Sequence, residues 1–112
     1  FVGPVPEPGW HVPKMSMRMY LRNMEKETVS TSYELYSKRN RLVLEILTGL
    51  DDLENVSMVF PHEVLCSEST GRCLVQEQGD PLYFDDDHLS LKGATQVVDQ
   101  IVAPFIELKG LL

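Results

Sequence analysis

Val56-Ser57-Met58-Val59-Phe60-Pro61 is the stretch on which the fold class turns. It is short, rich in valine and aromatic character, and bounded by Asn55 and Pro61, the pattern of a β-strand. The residues before it repeat at helical spacing. Leu35, Leu42, Val43, Ile46, Leu47 and Leu50 fall on one stripe, while Glu34, Lys38, Arg41 and Glu45 fall elsewhere. Thr31 with Glu34 has the form of a capping box, in which each side chain satisfies an orphan N–H of the first turn, so a helix is expected to start there and to end near Gly49. Phe1-Val2-Gly3 has the character of the end of a buried strand. Strand, helix, strand in one sheet is almost always a right-handed parallel crossover. The expectation is therefore an α/β fold with parallel strands and an amphipathic helix packed on the sheet.

Working outward, Pro4, Pro6, Pro8, Gly9 and Pro13 enforce an extended loop to about Lys14, since proline removes a donor and fixes φ. Residues 15–24 suit a short helix and 25–30 a polar connection. Residues 73–77 and 82–84 flank Gln78-Gly79-Asp80-Pro81, turn chemistry that predicts a small hairpin. Ser90 is placed to cap a helix from Leu91 to about Leu108, with Leu91, Ala94, Val98, Ile101, Val102 and Phe105 as its buried stripe and Pro104 loosening the last turns. No internal repeat or low-complexity segment interrupts this reading.

A chain of 112 residues with 43% apolar content supports one core and at most one domain. Each parallel crossover unit takes roughly 30 residues, so a five-stranded doubly wound sheet needs on the order of 150. Only two convincing parallel strands are present, which predicts an exposed strand edge, an unfinished core and pairing with a second chain or with a missing half. The abrupt start at Phe1-Val2-Gly3 carries the same expectation of missing upstream residues. Seventeen acidic against ten basic side chains leave a formal charge of −7, which argues against nucleic-acid and anionic-membrane partners. No apolar run approaches the roughly 18 to 20 residues that span a bilayer. Cys66 and Cys73 flank the polar loop Ser67-Glu68-Ser69-Thr70-Gly71-Arg72, whose flexibility lets the sulfurs meet; a disulfide and two free thiols both remain open at this spacing. No second Cys or His pair stands at zinc-ligand spacing.

Tyr83-Phe84-Asp85-Asp86-Asp87-His88-Leu89-Ser90 carries the chemistry. An Asp three residues before a His can accept a hydrogen bond from one ring nitrogen, which frees the other to take a proton from a nucleophile. Two rival readings exist. Three carboxylates beside a helix start are commonly solvated charge favoured by the helix dipole. A metal site of Asp85, Asp87 and His88 offers fewer oxygens than hard cations take and fewer imidazole or thiolate groups than zinc takes. Trp10 is a candidate aromatic wall for a sugar ring, and His11 beside it reads as an exposed loop residue. His62, after the second strand, is a candidate support for the site.

Asp85-x-x-His88-Leu89-Ser90 followed by Gly93-Ala94 resembles the last block of the SGNH hydrolases, especially the domain fused to acyltransferase family 3 membrane proteins, the O-antigen acetylases. The opening Val2-Gly3-Pro4-Val5-Pro6-Glu7, Tyr36-x-x-Arg39-Asn40, Leu65-Cys66 to Cys73, and Pro81-Leu82-Tyr83 are similar to that family and occur in its order. The resemblance implies that residues 1–112 are the C-terminal part of one flavodoxin-like, three-layer sandwich with parallel strands. It implies Asp85 orienting His88 as general base toward a serine, a Cys66–Cys73 disulfide, and a periplasmic location in a parent anchored in the inner membrane. It further implies a membrane-spanning acyltransferase domain as partner, a glycan such as that of lipopolysaccharide as substrate, a separate acyl donor, and no metal or organic cofactor. The family's Gly-Asp-Ser block and its oxyanion-hole Gly and Asn have no counterpart here, so this chain alone is expected to be inactive. A secreted carbohydrate esterase and a noncatalytic glycan-binding or assembly module are the rival functions.

Overall fold

The computed structural model describes residues 1–110, so the last two residues of the expected 1–112 segment lie outside the described residues. Helix α1 spans Val12–Leu21, strand β1 Val29–Ser32, α2 Tyr33–Arg39, α3 Arg41–Asp51, α4 His62–Leu65, β2 Cys66–Ser67, β3 Arg72–Glu77 and β4 Asp80–Pro81. The C-terminal helix runs as α5 Leu91–Val97, a π-helical stretch Val98–Val102, and α6 Ala103–Leu108.

The chain is α/β, but the four named strands do not form the expected parallel layout. β3 is central and pairs antiparallel with β1, β2 and β4. Local chemistry accounts for this sheet. Gln78 and Gly79 both adopt positive φ, 49° and 86°, the two-residue turn whose twist suits a hairpin between β3 and β4. On the other side Cys66 stands directly opposite Cys73, and the two sulfurs are joined. Parallel pairing survives only in miniature among the described residues. Val2 and Val59 form one parallel bridge, with the Gly3 N–H donating to the Val59 carbonyl at 2.8 Å and the Val59 N–H to the Phe1 carbonyl at 2.9 Å.

Helix α1 begins earlier than its apolar pattern suggested. The His11 Nδ1 accepts from the Lys14 N–H at 3.3 Å as N-cap, and Pro13 sits in the first turn, where its missing N–H would have no helical partner. The N-cap is displaced by one residue, and with Leu35 at N3 it is a single cap without the reciprocal bond of a capping box. Ser32, not Thr31, accepts from the Leu35 N–H at 3.1 Å, because residues 29–32 are drawn into β1 instead of the polar connection. The single expected helix is two, broken at Asn40, and α3 runs past Gly49 to Asp51. The carboxylate of Asp51 then accepts from the Met58 N–H at 2.8 Å, tying the helix end to the following segment.

Val12, Leu65, Val75, Leu82, Tyr83 and Val97 form the core. Gln76, also fully buried, finds partners on α1: Ser16 Oγ donates to its Oε1, and its Nε2 lies 3.9 Å from Met19 Sδ. The expected stripe of the C-terminal helix is rotated. Leu91 is 86% exposed, while Gly93 and Val97 are buried. A Cβ on residue 93 would lie 2.2 Å from the Leu82 carbonyl oxygen, so only glycine allows the helix to approach the end of the hairpin, and its face becomes the buried one. The expected loosening at Pro104 takes the form of the π-helical turn just before it, since the proline N cannot bond back to its own preceding turn. Helix α3 buries no residue: Leu42, Val43, Ile46 and Leu50 all stay exposed, against the expectation that they pack on the sheet. The Cα radius of gyration, 15.3 Å, accordingly exceeds the roughly 13 Å of a compact domain of this length. No described helix is long and apolar enough to cross a membrane.

Candidate active site

The loop 84–89 links the hairpin to α5 and closes on itself. Tyr83 and Leu89 form an antiparallel bridge, and the Phe84 N–H donates to the His88 carbonyl at 3.0 Å. Ser90 fixes its far end by three bonds. Its N–H donates to the Leu82 carbonyl and its Oγ to the Pro81 carbonyl, both at 2.8 Å, while the same Oγ accepts from the Gly93 N–H at 3.2 Å as helix N-cap. The opening Pro-rich loop holds the other side. The Gly9 N–H donates to the Asp86 carbonyl and the Val12 N–H to the Asp85 carbonyl, each at 3.2 Å.

Within this frame Asp85 Oδ1 accepts from the Asp87 N–H at 2.9 Å and the His88 N–H at 2.7 Å. Asp85 Oδ2 stands 2.8 Å from His88 Nδ1. Both carboxylate oxygens are thus engaged, and backbone donation from Asp87, then from His88, holds the Asp85 carboxyl far below the usual carboxylate range. Asp87 Oδ1 lies 2.7 Å from the same Nδ1. With acceptors on both sides, Nδ1 carries the proton in the neutral ring and Nε2 keeps the lone pair. The hydrogen bond that the ring donates to Asp85, followed by the charges of Asp85 and Asp87, raises the His88 pKa above its ordinary value. The imidazole stacks on Phe84, with centroids 5.4 Å apart and planes 18° from parallel, and its side chain is 66% exposed.

Asp85, Asp87 and His88 offer three donor atoms within 4.8 Å of one another. The ring nitrogen in this set is the one that donates to the carboxylates, and two carboxylates with one imidazole are poorer in nitrogen and sulfur than zinc sites and poorer in oxygen than calcium sites. The arrangement fits proton transfer better than cation binding.

The remaining predicted residues lie elsewhere. Cys66 and Cys73 are disulfide-bonded across the β2–β3 pair. Trp10, 37% exposed, donates from its indole Nε1 to Met15 Sδ at 3.0 Å and lines a cavity that includes neither Asp85 nor His88. His62 is half-buried among Tyr33, Tyr36 and Phe60, and burial lowers its pKa. Its Nδ1 lies 3.1 Å from the Tyr36 hydroxyl, which donates to the Pro4 carbonyl at 3.0 Å. The buried Tyr83 hydroxyl likewise donates to the Pro6 carbonyl at 2.8 Å. These two tyrosines anchor the loop that in turn holds Asp85 and Asp86. The sequence names neither role, because the carbonyls they meet are far away in the chain and belong to prolines without any side-chain signal.

Set beside known families, a domain with an Asp-x-x-His loop running into a Ser-capped helix falls among the SGNH proteins, and the family model for the SGNH domain (fused to AT3 domains) matches residues 1–103. The chain belongs to that family. No curated protein and no solved structure shows a significant match to it. Membership links the chain to acyl-transfer and esterase-related function.

Proposed function

We propose that the chain is the C-terminal part of an extracytoplasmic SGNH domain that transfers or removes an acetyl group on a glycan hydroxyl. The observation that carries this reading is the 2.8 Å contact of Asp85 Oδ2 with His88 Nδ1, which leaves Nε2 as the proton acceptor. In the reaction, Nε2 takes the proton of a serine hydroxyl as its oxygen attacks the acyl carbonyl. Backbone or amide donors stabilise the resulting oxyanion, and the imidazolium returns the proton to the departing alkoxide. A glycan hydroxyl or water then takes the acyl group by the reverse sequence. Every serine here lacks the Gly-Asp-Ser context, so the nucleophile and the oxyanion donors come from another part of the parent domain.

The same reading assigns the parallel Val2–Val59 bridge to the parent's flavodoxin-like sheet, and the exposed Leu42, Val43, Ile46 and Leu50 to the contact between α3 and that sheet. The disulfide fits an oxidising compartment such as the periplasm, with a membrane-spanning acyltransferase domain in the parent protein. The test is a fluorophosphonate probe on the complete domain, combined with acetyl release from an acetylated glycan. Labelling is expected, and His88→Ala should lower turnover by roughly a thousand-fold or more. Because the pKa of His88 is raised, the rate should climb with pH as the ring loses its proton. A His88→Ala domain that labels and turns over like the original ends the proposal.

A further inference from the structure

A cavity of about 530 Å³ opens between the Pro-rich loop, β1 and α2, lined among others by Trp10, Ser30, Tyr36, Arg39, Asn40 and Arg72. Its charge is opposite to that of the chain. Acidic side chains outnumber basic ones seventeen to ten overall, yet the lining carries the two guanidinium groups of Arg39 and Arg72 against the single carboxylate of Glu7. Arg72 is held in place: Nε donates to Ser30 Oγ at 2.9 Å and Nη2 to the Ser30 carbonyl at 2.7 Å, so Nη1 is left over. Arg39 makes no ion pair or side-chain hydrogen bond among the described residues. Trp10 adds an aromatic face whose ring is steadied by its bond to Met15 Sδ.

From this set we infer a saccharide subsite, distinct from the Asp85/His88 loop, for a pyranose that carries an oxyanion, either carboxylate or phosphate. The planar, forked guanidinium matches the paired oxygens of such groups, and the indole supplies the apolar surface on which a sugar face packs. The hydroxyls of Ser30, Thr31 and Ser32 and the carboxylate of Glu7 can bond ring hydroxyls. Neither Asp85 nor His88 lines the cavity, so the unit held here is a neighbour of the acylated one in the same glycan. Residues 7–10 connect the two places: Glu7, Pro8 and Trp10 face the cavity, while the Gly9 N–H holds the Asp86 carbonyl. The inference rests on the glycan-directed reading above and deepens it by naming the charge of the substrate.

Titration of the 112-residue chain with methyl glucuronide, glucose 6-phosphate and methyl glucoside, followed by NMR at the Trp10 indole N–H, tests it. At least one oxyanion-bearing sugar should give saturable shifts about tenfold tighter than the glucoside, and whichever of the two binds more tightly names the source of the oxyanion. Arg39→Gln, at an exposed position, should weaken that ligand about tenfold while the glucoside is unaffected, and Arg39→Lys should fall between. Equal binding of all three sugars, no saturable shift with any, or an unchanged affinity in Arg39→Gln overturns the subsite. The readout is binding, so it is independent of the fluorophosphonate experiment: failure of labelling in the complete domain removes the chemistry assigned to His88 and leaves this result standing.

Discussion

Helix α3 and the hairpin of β3 and β4 both carry apolar side chains and meet opposite fates. Val75, Leu82 and Tyr83 around the hairpin are completely buried, whereas α3 leaves Leu42 67% and Ile46 55% exposed. The difference lies in the long-range partners each meets, since both patterns are amphipathic. The hairpin is gripped by a disulfide, by α1 through Gln76, and by the close approach of Gly93. For α3, the described residues provide the Asp51 link to Met58 and no covering surface. Hydrophobic periodicity therefore reports which face seeks a partner, and only tertiary structure tells whether one is found.

That contrast can be broken most directly by deletion in both regions. Leu82→Ala should lower the unfolding free energy by about 2 to 5 kcal/mol in denaturant titration, while Ile46→Ala should stay within about 0.5 kcal/mol of the original chain. Equal losses at the two positions would mean that α3 is covered after all. Replacing both Cys66 and Cys73 by serine should cost about 2 to 3 kcal/mol in the same assay, as expected for closing a short loop. Tyr83→Phe should cost about 1 to 2 kcal/mol, because the Pro6 carbonyl loses its buried donor. Leu42→Lys should change stability by less than about 0.5 kcal/mol and instead reduce self-association, seen as a smaller mass in size-exclusion chromatography with light scattering. A monomeric original chain would show that the apolar face does not drive pairing.

The smallest effect is the most specific to the site. Asp85→Asn should bring the His88 pKa back toward the ordinary imidazole value in an NMR titration, with Asp87 retaining part of the shift. The sign for stability follows. The raised His88 pKa contributes stability that is fully present below the unfolded value of about 6.5 and is lost as pH rises through the folded one. The depressed Asp85 pKa contributes stability present above about 3.9 and lost as pH falls through the folded value. The pair is therefore strongest between roughly pH 4 and 6.5 and weakens on either side, and a profile that does not fall off beyond those limits in the original chain would show that both groups are simply solvated.

Short-range chemistry was the legible part of this molecule. The turn at Gln78-Gly79, the cap at Ser90, the disturbance before Pro104 and the proximity of Asp85 to His88 each depend on residues within a few positions of one another. The sheet was not legible. β1 is a run of Val-Ser-Thr-Ser with weak strand character, recruited because its partner is already fixed by the hairpin, and the stretch 56–60 makes a single bridge among the described residues. The rotated face of α5 was equally hidden, because a glycine contributes nothing to an apolar stripe and yet decides which side can come closest. From the sequence Asp87 reads as solvated charge or as a metal ligand, and its contact with the same ring nitrogen depends on how the loop curls.

The two backbone bonds from Gly9 and Val12 to the carbonyls of Asp86 and Asp85 have a consequence for how the site moves. The loop backbone cannot open alone: lifting residues 85 and 86 must release these amides, which lie far upstream in the chain. Their hydrogen-exchange rates are thus a remote gauge of order at position 88, available even in a chain that turns nothing over.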